Sequence, residues 1–325
     1  MNCVIIGAGQ LGSRHLEGLL KFSKDNLTIY VIDINSSSLQ DCEKKTKDII
    51  HNHTLIFSTD WEILPKQLFF SIVATDSKVR EKITLTLLAN YQIDLMLLEK
   101  VLFTNIEAYQ NVEKALSKTD TRCFVNHPRR MYQSYQDLKK VLINEKQLHY
   151  QIVGTNWGLA CNGLHFIDLI EYLSDTILLN LSTNAIDNEI VQSKRNGYIE
   201  MTGAINGNLA NGSTFEIRSI ADNQTTHPAI AIMGKDTRVY IQEVFDPIIY
   251  VYEKESTFKQ QQFPLVVKYQ SALTHIVLED FIAFDTVNLP NYADASRTHQ
   301  LFLSALLEKF NQSTNSPENT HLYIT

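Results

Sequence analysis

The feature that most constrains the fold is a glycine-rich turn close to the start of the chain. The run "VIIGAGQLGSRH" places Gly7, Gly9 and Gly12 after an apolar, strand-like segment and at the start of an amphipathic helical pattern. The first glycine permits a tight turn, the second lets backbone approach a ligand, and the third allows close packing of helix on strand. Strand, glycine turn and helix in this order are typical of the first unit of a parallel α/β sheet.

The same alternation continues along the first third of the chain. The apolar runs "LTIYVID", "LFFSIVAT" and "IDLMLLEK" are separated by helical patterns, including those at 78–90 and 105–118. Strands alternating with helices predict a parallel, doubly wound sheet that is covered on both faces. We therefore predict a Rossmann domain of the α/β class over residues 1–122.

After residue 122 the pattern changes. Helical segments at 132–145 and 162–174 flank the strand-like "LHYQIVGT", and short β-rich runs with hairpin signals fill 183–267. Helical patterns return at 268–284 and 292–311, and "HLYIT" is a candidate last strand. These patterns predict an α+β domain with a largely antiparallel open sheet over residues 123–325.

Composition excludes several classes of protein. The net charge of -7, without a long basic run, gives no footprint for nucleic acid. No stretch approaches eighteen consecutive apolar residues, so we expect no membrane span. Four widely spaced cysteines without a C-x-x-C pair fit a reducing compartment, and we expect a cytoplasmic protein. The "HNH" at 51–53 lacks further ligands at a suitable spacing, so we predict no metal site.

The second strand ends at Asp33, twenty-one positions after Gly12. A carboxylate there can accept hydrogen bonds from the adenosine ribose of a dinucleotide, and it would repel a 2'-phosphate. The following "IDINSSS" offers no Arg or Lys to hold such a phosphate. We therefore predict NAD rather than NADP as the cofactor, with the backbone of the turn at its pyrophosphate. The cofactor-binding residues predicted in this part are Gly7, Gly9, Gln10, Leu11, Gly12 and Asp33.

A second candidate site follows the strand "LMLLEKVL", which ends at Glu99 and Lys100. Ligands of open α/β sheets bind at this carboxyl edge. A lysine there either extends to solvent or is partly desolvated and able to hydrogen-bond a hydroxyl group. The residues alone leave both interpretations open.

A third candidate site is the helical run "CNGLHFIDLIEYL", in which His165 and Asp168 are three positions apart. Histidine titrates near neutral pH, which suits a base that takes the hydroxyl proton as hydride leaves carbon. Asp168 is either a group that orients the imidazole or a structural carboxylate. Asn162 is a candidate substrate contact, although an N-cap is favoured. Trp157 is either part of a pocket wall or an ordinary buried aromatic residue.

The order of "GAGQLGSRH", "YVID", "VATDSKVREKI", "LLEKVL", "VNHPRRMYQSY" and "NGLHFIDLIEYL" resembles the Gfo/Idh/MocA family of sugar and cyclitol oxidoreductases. The resemblance covers essentially the whole chain. It implies a first domain that binds a nicotinamide cofactor and a second whose sheet holds a sugar-like substrate. It also implies a homodimer or homotetramer formed through that sheet. The aromatic strands between Tyr240 and Tyr252 fit such an interface, and ordinary core packing also explains them.

Individual residues of these runs either match the family's motifs or differ from them. Lys100 falls on the lysine of the family's E-K-P motif, where Val101 replaces the proline. Thr75 matches an "ATP" turn with Asp76 in place of proline, and Arg130 resembles an arginine of an "N-R-R" stretch that supports substrate. The resemblance implies that Thr75, Glu99 and Lys100 contact the cofactor.

The family's D-x-G-x-H-x-x-D pattern is matched by Gly163, His165 and Asp168, whereas Cys161 stands at its first aspartate. The implied function is transfer of hydride between NAD and a hydroxyl or keto carbon of a sugar, sugar nucleotide or cyclitol. In this implied reaction His165 is the acid/base, and Lys100 polarises the reacting oxygen. The departures at Val101 and Cys161 leave a non-catalytic NAD-binding sensor or regulator as an alternative. A further alternative is epimerisation or glycoside cleavage, in which bound NAD oxidises the substrate only transiently.

Overall fold

A computed structural model describes residues 1–254, 258–316 and 318–324. In it the chain divides into two units. The first unit comprises residues 1–103, 107–128 and 268–296. The second comprises residues 104–106, 129–267 and 297–325, apart from those outside the described ranges.

The first unit contains a six-stranded parallel sheet in the order β3-β2-β1-β4-β5-β6. This is the predicted Rossmann-type sheet. Its strands are β1 (Asn2–Ile6), β2 (Thr28–Ile32), β3 (Thr54–Ser58), β4 (Gln67–Val73), β5 (Gln92–Leu98) and β6 (Arg122–Val125). Its helices are α1 (Gln10–Leu19), α2 (Ser36–Thr46), α3 (Ser77–Asn90), α4 (Ile106–Leu116) and α7 (Thr274–Phe284).

Apolar strand runs explain why the sheet is buried on both faces. Every residue from Cys3 to Ile6 is buried, as is every residue from Leu95 to Leu98. The order reverses at β1, which pairs in parallel with β2 and with β4. Ligands of open α/β sheets bind beside such a reversal, at the carboxyl ends of the strands. The glycine turn follows β1 at this point.

The second unit is built on an eight-stranded sheet in the order β14-β13-β12-β11-β7-β10-β9-β8. All neighbouring strands are antiparallel except β7 and β10, which confirms the largely antiparallel prediction. The strands are β7 (His149–Thr155), β8 (Leu178–Gln192), β9 (Ile199–Leu209), β10 (Thr214–Ile220), β11 (Thr226–Met233), β12 (Thr237–Gln242), β13 (Ile248–Lys254) and β14 (Phe258–Pro264).

Helix α6 (Leu159–Ser174) packs on β9 and β10, and α5 (Gln133–Leu142) packs on α6. Both lie in the second unit. Helix α8 (Tyr292–Thr314) closes the helical part of the chain. The predicted last strand "HLYIT" does not form over residues 321–324, and Thr325 lies outside the described residues.

The division into units differs from the predicted boundary at residue 122. That boundary would separate β6 from its sheet, although β6 pairs with β5 from Leu95↔Arg122 to Leu98↔Val125. Residues 268–296 also return to the first unit, where α7 packs on α1. The first unit is therefore discontinuous in sequence, which the change of pattern near residue 122 did not reveal.

Candidate functional site

The glycine turn has the backbone that a dinucleotide needs. Gly7 adopts φ +101°, a conformation that side chains other than glycine rarely take. A Cβ at Gly12 would lie 1.8 Å from the Gly7 carbonyl oxygen, so only glycine fits there. A Cβ at Gly9 would meet nothing within 4 Å, which leaves open space beside the turn. Gly9 is the N-cap of α1, and the first N–H groups of a helix have no partner within the helix.

Asp33 is tied to this turn. Its Oδ2 accepts the amide N–H of Ala8 at 2.7 Å, and its Oδ1 accepts that of Asn35 at 2.8 Å. The carboxylate is therefore fixed beside the glycines while each oxygen keeps a second acceptor position. Ile34, the next residue, is 93% exposed and offers an apolar surface at the same edge.

These residues fit an adenine dinucleotide. The open side of Gly9 admits a pyrophosphate to the α1 N-terminus, where helix dipole and free N–H groups favour an anion. The half-buried Asp33 stands where ribose hydroxyls would donate to it. The residues that would hold the group are the backbone from Gly7 to Gly12, including Gln10 and Leu11, and the Asp33 carboxylate.

The turn after β4 carries Thr75 and Asp76. Asp76 is the N-cap of α3, and its Oδ1 accepts the N–H of Lys78 at 3.0 Å. Thr75 lies beside the glycine turn, because a Cβ at Gly7 would be 3.1 Å from its Cγ2. The backbone oxygen of Thr75 accepts a hydrogen bond from the buried guanidinium of Arg80. Sequence reasoning missed Arg80, because nothing in "DSKVREKI" separates a buried arginine from an exposed one.

Glu99 and Lys100 follow β5 at the same carboxyl edge. Lys100 is half-buried, and the peptide bond that joins it to Val101 is cis. Glu99 is fully enclosed and accepts hydrogen bonds from His15 at 2.8 Å and from Asn126 at 2.5 Å. Burial alone would raise the pKa of Glu99, but these hydrogen bonds hold it below its usual range. The contacts make Glu99 a buried anion, and its predicted contact with the cofactor stays a prediction.

In the second unit, α6 begins earlier than predicted. Its N-cap is Gly158 at φ +84°, so the interpretation of Asn162 as the N-cap is wrong. The first turn of α6 is capped instead by Glu200 of β9. Its carboxylate accepts hydrogen bonds from the amide N–H groups of Ala160 and Cys161, each at 2.9 Å. A carboxylate at a helix N-terminus is favourable for the helix dipole. No sequence signal pointed to Glu200, which lies 39 positions after Cys161.

Asn162 and Trp157 contact each other. The Nδ2 of Asn162 donates to the Trp157 carbonyl at 2.9 Å. The Trp157 indole is buried, donates to the Arg218 carbonyl at 2.8 Å and meets the Phe166 ring edge-on at 5.3 Å. These contacts are those of a buried aromatic residue, one of the two interpretations left open.

His165 lies on the partly exposed side of α6, as do Cys161 and Asn162. Asp168 is buried one turn further on, and its carboxylate pairs with Arg130, with an Nη2 to Oδ1 distance of 2.7 Å. Burial raises the pKa of Asp168 to about 6, although the charge of Arg130 opposes the shift. The structure therefore brings Asp168 and Arg130 together as an ion pair, which corresponds to the structural interpretation of Asp168.

The neighbouring Arg129, unlike Arg130, was not predicted. It forms two hydrogen bonds with Glu243, at 2.7 and 2.6 Å, and its guanidinium lies 4.3 Å from the ring centre of Phe166. The hydroxyl of Tyr135 donates to the same carboxylate at 2.6 Å. Arg129 and Arg130 therefore contact α6 at Phe166 and Asp168, two positions that follow His165 in the sequence.

Two kinds of feature are absent from residues 1–254, 258–316 and 318–324. No helix there is both long and apolar enough to cross a bilayer. In the same residues, no three His, Cys, Asp or Glu side chains are grouped so that they could bind a metal ion.

Residues 1–127 match the model of the Gfo/Idh/MocA family, which is described as an oxidoreductase family with an NAD-binding Rossmann fold. This match confirms the resemblance found in the sequence over the amino-terminal part. No curated protein sequence matches the chain.

Solved structures extend the likeness of fold to nearly the whole chain. UDP-N-acetylglucosamine 3-dehydrogenase from Acidithiobacillus ferrooxidans superposes with a TM-score of 0.74 at 13% identity, covering 95% of this chain and 98% of its own. An oxidoreductase from Agrobacterium radiobacter, in complex with NAD+, L-tartaric acid and magnesium, has a TM-score of 0.71 at 12% identity, with coverages of 96% and 97%. A super-repressor mutant of Gal80p from Saccharomyces cerevisiae has a TM-score of 0.72 at 12% identity, with coverages of 96% and 98%.

Proposed function

We propose that the protein is an NAD-dependent oxidoreductase of sugar-like substrates, because residues 1–127 match the model of the Gfo/Idh/MocA oxidoreductases, which describes an NAD-binding Rossmann fold. The substrate class is a sugar, sugar nucleotide or cyclitol with a secondary hydroxyl or the corresponding ketone. The observation that carries the proposal is the glycine turn fastened to Asp33, with Lys100 at the carboxyl edge of the same sheet. The likeness to a sugar-nucleotide dehydrogenase supports the substrate class.

Asp33 supports NAD over NADP. Its carboxylate is held by two backbone amides, so it cannot turn away from a ligand at the ribose position without losing both hydrogen bonds. A 2'-phosphate at that position would meet a fixed negative charge, and residues 34–37 offer no cation to offset it.

Two side chains are assigned to the chemistry. NAD, when bound, supplies the hydride acceptor for oxidation. Lys100 donates a hydrogen bond to the reacting oxygen and stabilises negative charge on it as the proton leaves. His165 takes that proton during oxidation and returns it during reduction, a task for which an imidazole needs little adjustment. That both side chains act on one oxygen is part of the proposal.

The experiment is a panel of sugars, cyclitols and sugar nucleotides incubated with NAD and followed at the NADH absorbance band. We expect one substrate class to be turned over, and Lys100→Ala and His165→Ala to reduce kcat by at least about a hundredfold, because each removes a group from the transition state. Lys82→Ala and His321→Ala are matched controls at exposed positions, and they should keep full activity. Turnover that survives both active-site substitutions would contradict the assignment.

A second candidate is a non-catalytic, NAD-binding regulator. It is favoured by Cys161 at the position of the family's first aspartate and by the likeness of fold to the transcriptional regulator Gal80p. Binding of NAD without turnover of any member of the panel would support it. A change of stereochemistry without accumulation of NADH would instead support transient oxidation.

We also propose that the protein forms a homodimer or homotetramer through the eight-stranded sheet of the second unit. Tyr240 on β12 is 46% exposed and meets Tyr252 of β13 edge-on, with ring centres 6.0 Å apart. Exposed aromatic residues on a sheet face are typical of a surface that a partner covers. Because the Tyr240 ring is exposed in the single chain, packing in the core does not explain an aromatic residue at this position.

A further inference from the structure

A ring of five buried polar side chains lies in the first unit beside Lys100. We name it the Glu99 ring, and its members are His15, Glu99, Asn126, Gln270 and Thr274. All five are buried, His15 and Thr274 completely. They come from α1, the residue after β5, the residue after β6, a 3-10 turn at Gln270–Ala272 and the start of α7.

Hydrogen bonds connect the five residues into a closed circle. Glu99 Oε1 lies 2.8 Å from His15 Nε2, and it accepts from Asn126 Nδ2 at 2.5 Å. On the far side, His15 Nδ1 lies 3.0 Å from Thr274 Oγ1, to which Gln270 Nε2 donates at 3.0 Å. Asn126 Nδ2 also donates to Gln270 Oε1 at 2.8 Å, which closes the circle.

Close packing holds the two helices of the ring together. A Cβ on Gly18 of α1 would lie only 2.8 Å from the Cβ of Thr274. Only glycine therefore allows α1 to approach α7 closely enough for His15 to reach the Thr274 hydroxyl. The hydrogen bond between His15 and Thr274 therefore requires the close contact of α1 with α7 at Gly18.

The ring keeps a charge in the interior. The lowered pKa of Glu99 means that its carboxylate is ionised, and a buried carboxylate is tolerated only when donors surround it. Each side chain of the ring either donates to Glu99 or fixes a donor that does. Loss of one member therefore changes the position of the next one, as in other fully connected polar networks.

A second anchor lies directly after Lys100. The buried guanidinium of Arg80 donates to the carbonyl oxygens of Val101 and Leu102. The backbone before Lys100 is thus held through the Glu99 side chain, and the backbone after it through Arg80. Lys100 is the one residue between the two anchors.

We propose that the Glu99 ring is the positioning device for Lys100, with Arg80 as the second anchor, so that His15, Asn126, Gln270 and Thr274 act on the reaction through Glu99. This inference rests on the proposed role of Lys100. A reacting group that is displaced by about 1 Å loses on the order of a hundredfold in rate, so a ring that fixes its backbone has a measurable effect.

The test is Thr274→Val, which removes the hydroxyl at the far side of the ring and keeps the side-chain volume. Thr298→Val is the matched control, because Thr298 is also buried and donates to a buried carboxylate, that of Glu171, at 2.7 Å. The probe is N-hydroxysulfosuccinimide acetate, and the rate of acetylation at Lys100 is measured by mass spectrometry of peptides, with Lys82 as the internal reference.

We expect Thr274→Val to change the Lys100 rate at least threefold relative to Lys82, and Thr298→Val to leave the ratio as in the wild type. Gln270→Met, which breaks the ring at another member, should have the same effect and serves if Thr274→Val does not fold. An unchanged ratio in a folded ring variant would overturn the proposal, and so would an equal change in Thr298→Val.

The acetylation test does not need turnover, so it separates this inference from the proposed function. If the wild type turns over a member of the sugar panel, Thr274→Val should lower kcat per folded molecule at least tenfold with KM within twofold, and Thr298→Val should leave both values unchanged. If the wild type turns over nothing and the acetylation ratio changes, the ring stands and the oxidoreductase proposal fails.

Discussion

At the scale of the residue, Gly9 and Asp33 carry the assignment of a cofactor, and they differ in what a substitution would disturb. Asp33 has two hydrogen bonds within the protein, so its loss would change both the turn and the ligand site. Gly9 has a φ of −66°, which any residue adopts, and open space where a Cβ would stand. Gly9 can therefore be changed without cost to the fold.

We predict that Gly9→Ala weakens NAD binding at least tenfold and leaves the free energy of unfolding within about 0.5 kcal/mol, because the added methyl group occupies only the ligand's side of the turn. Isothermal titration calorimetry and urea unfolding measure the two quantities. The same titrations should show that the wild type binds NAD more tightly than NADP. If Gly9→Ala binds NAD normally, or if the wild type prefers NADP, the assignment of the glycine turn and Asp33 to NAD is contradicted.

At the scale of the element, α6 shows that the sequence predicts a candidate base, His165, but not the residues that hold the helix in place. The apolar run and the histidine were readable, because helical spacing places them on defined sides. The supports come from Glu200 on β9, Arg129 and Arg130, and of these only Arg130 was singled out in the sequence, as a residue that supports substrate. Likewise, His15 and Thr274 of the Glu99 ring are 259 positions apart. Long-range partners of buried polar groups are set by tertiary packing, which the sequence pattern of one element does not contain.

The burial of Asp168 on α6 makes the stability of the protein depend on pH, although the charge of Arg130 opposes the effect. With a folded-state pKa of about 6 and an ordinary value of 3.8, the folded protein holds a proton on Asp168 that the unfolded chain has released. The contribution of Asp168 to stability is therefore largest at low pH and falls as pH rises from 4 to about 6.

We predict that the difference in unfolding free energy between the wild type and Asp168→Asn falls by roughly 2 to 3 kcal/mol across that window, since one pKa unit corresponds to about 1.4 kcal/mol. Above about pH 7, one unit beyond the folded-state pKa, the difference should be constant. Urea unfolding of both proteins between pH 4 and pH 7.5 measures this slope. A difference that rises with pH would show that the Arg130 charge outweighs burial.

At the scale of the whole molecule, the class of each sheet was predictable and the course of the chain between the units was not. Alternating strands and helices predicted the parallel sheet, and hairpin signals predicted the antiparallel one. Strand β3 was not predicted from "TLIFS", whose residues are not fully buried in the sheet. The return of residues 268–296 to the first unit has no pattern of its own, because a helix that packs on either unit has the same periodicity.

The exposed aromatic residues of the large sheet give a prediction at the same scale. Tyr240→Lys places a charge at the centre of the proposed interface, and it should convert the assembly to monomers because a buried, unpaired charge opposes association. Ile143→Lys is the control, since Ile143 is 76% exposed at the end of α5. Size-exclusion chromatography with light scattering measures the mass, and a wild-type monomer would contradict the proposal.

The discontinuous first unit has a consequence for how the protein is made. The segment with Gln270 and Thr274 leaves the ribosome about 140 residues after Asn126, which takes roughly 7 to 28 s at ordinary rates of translation. During that interval His15 lacks its partner Thr274, and Asn126 lacks its partner Gln270. The first unit therefore completes its packing only after translation has passed the entire second sheet, although all six strands of its own sheet lie within residues 2–125.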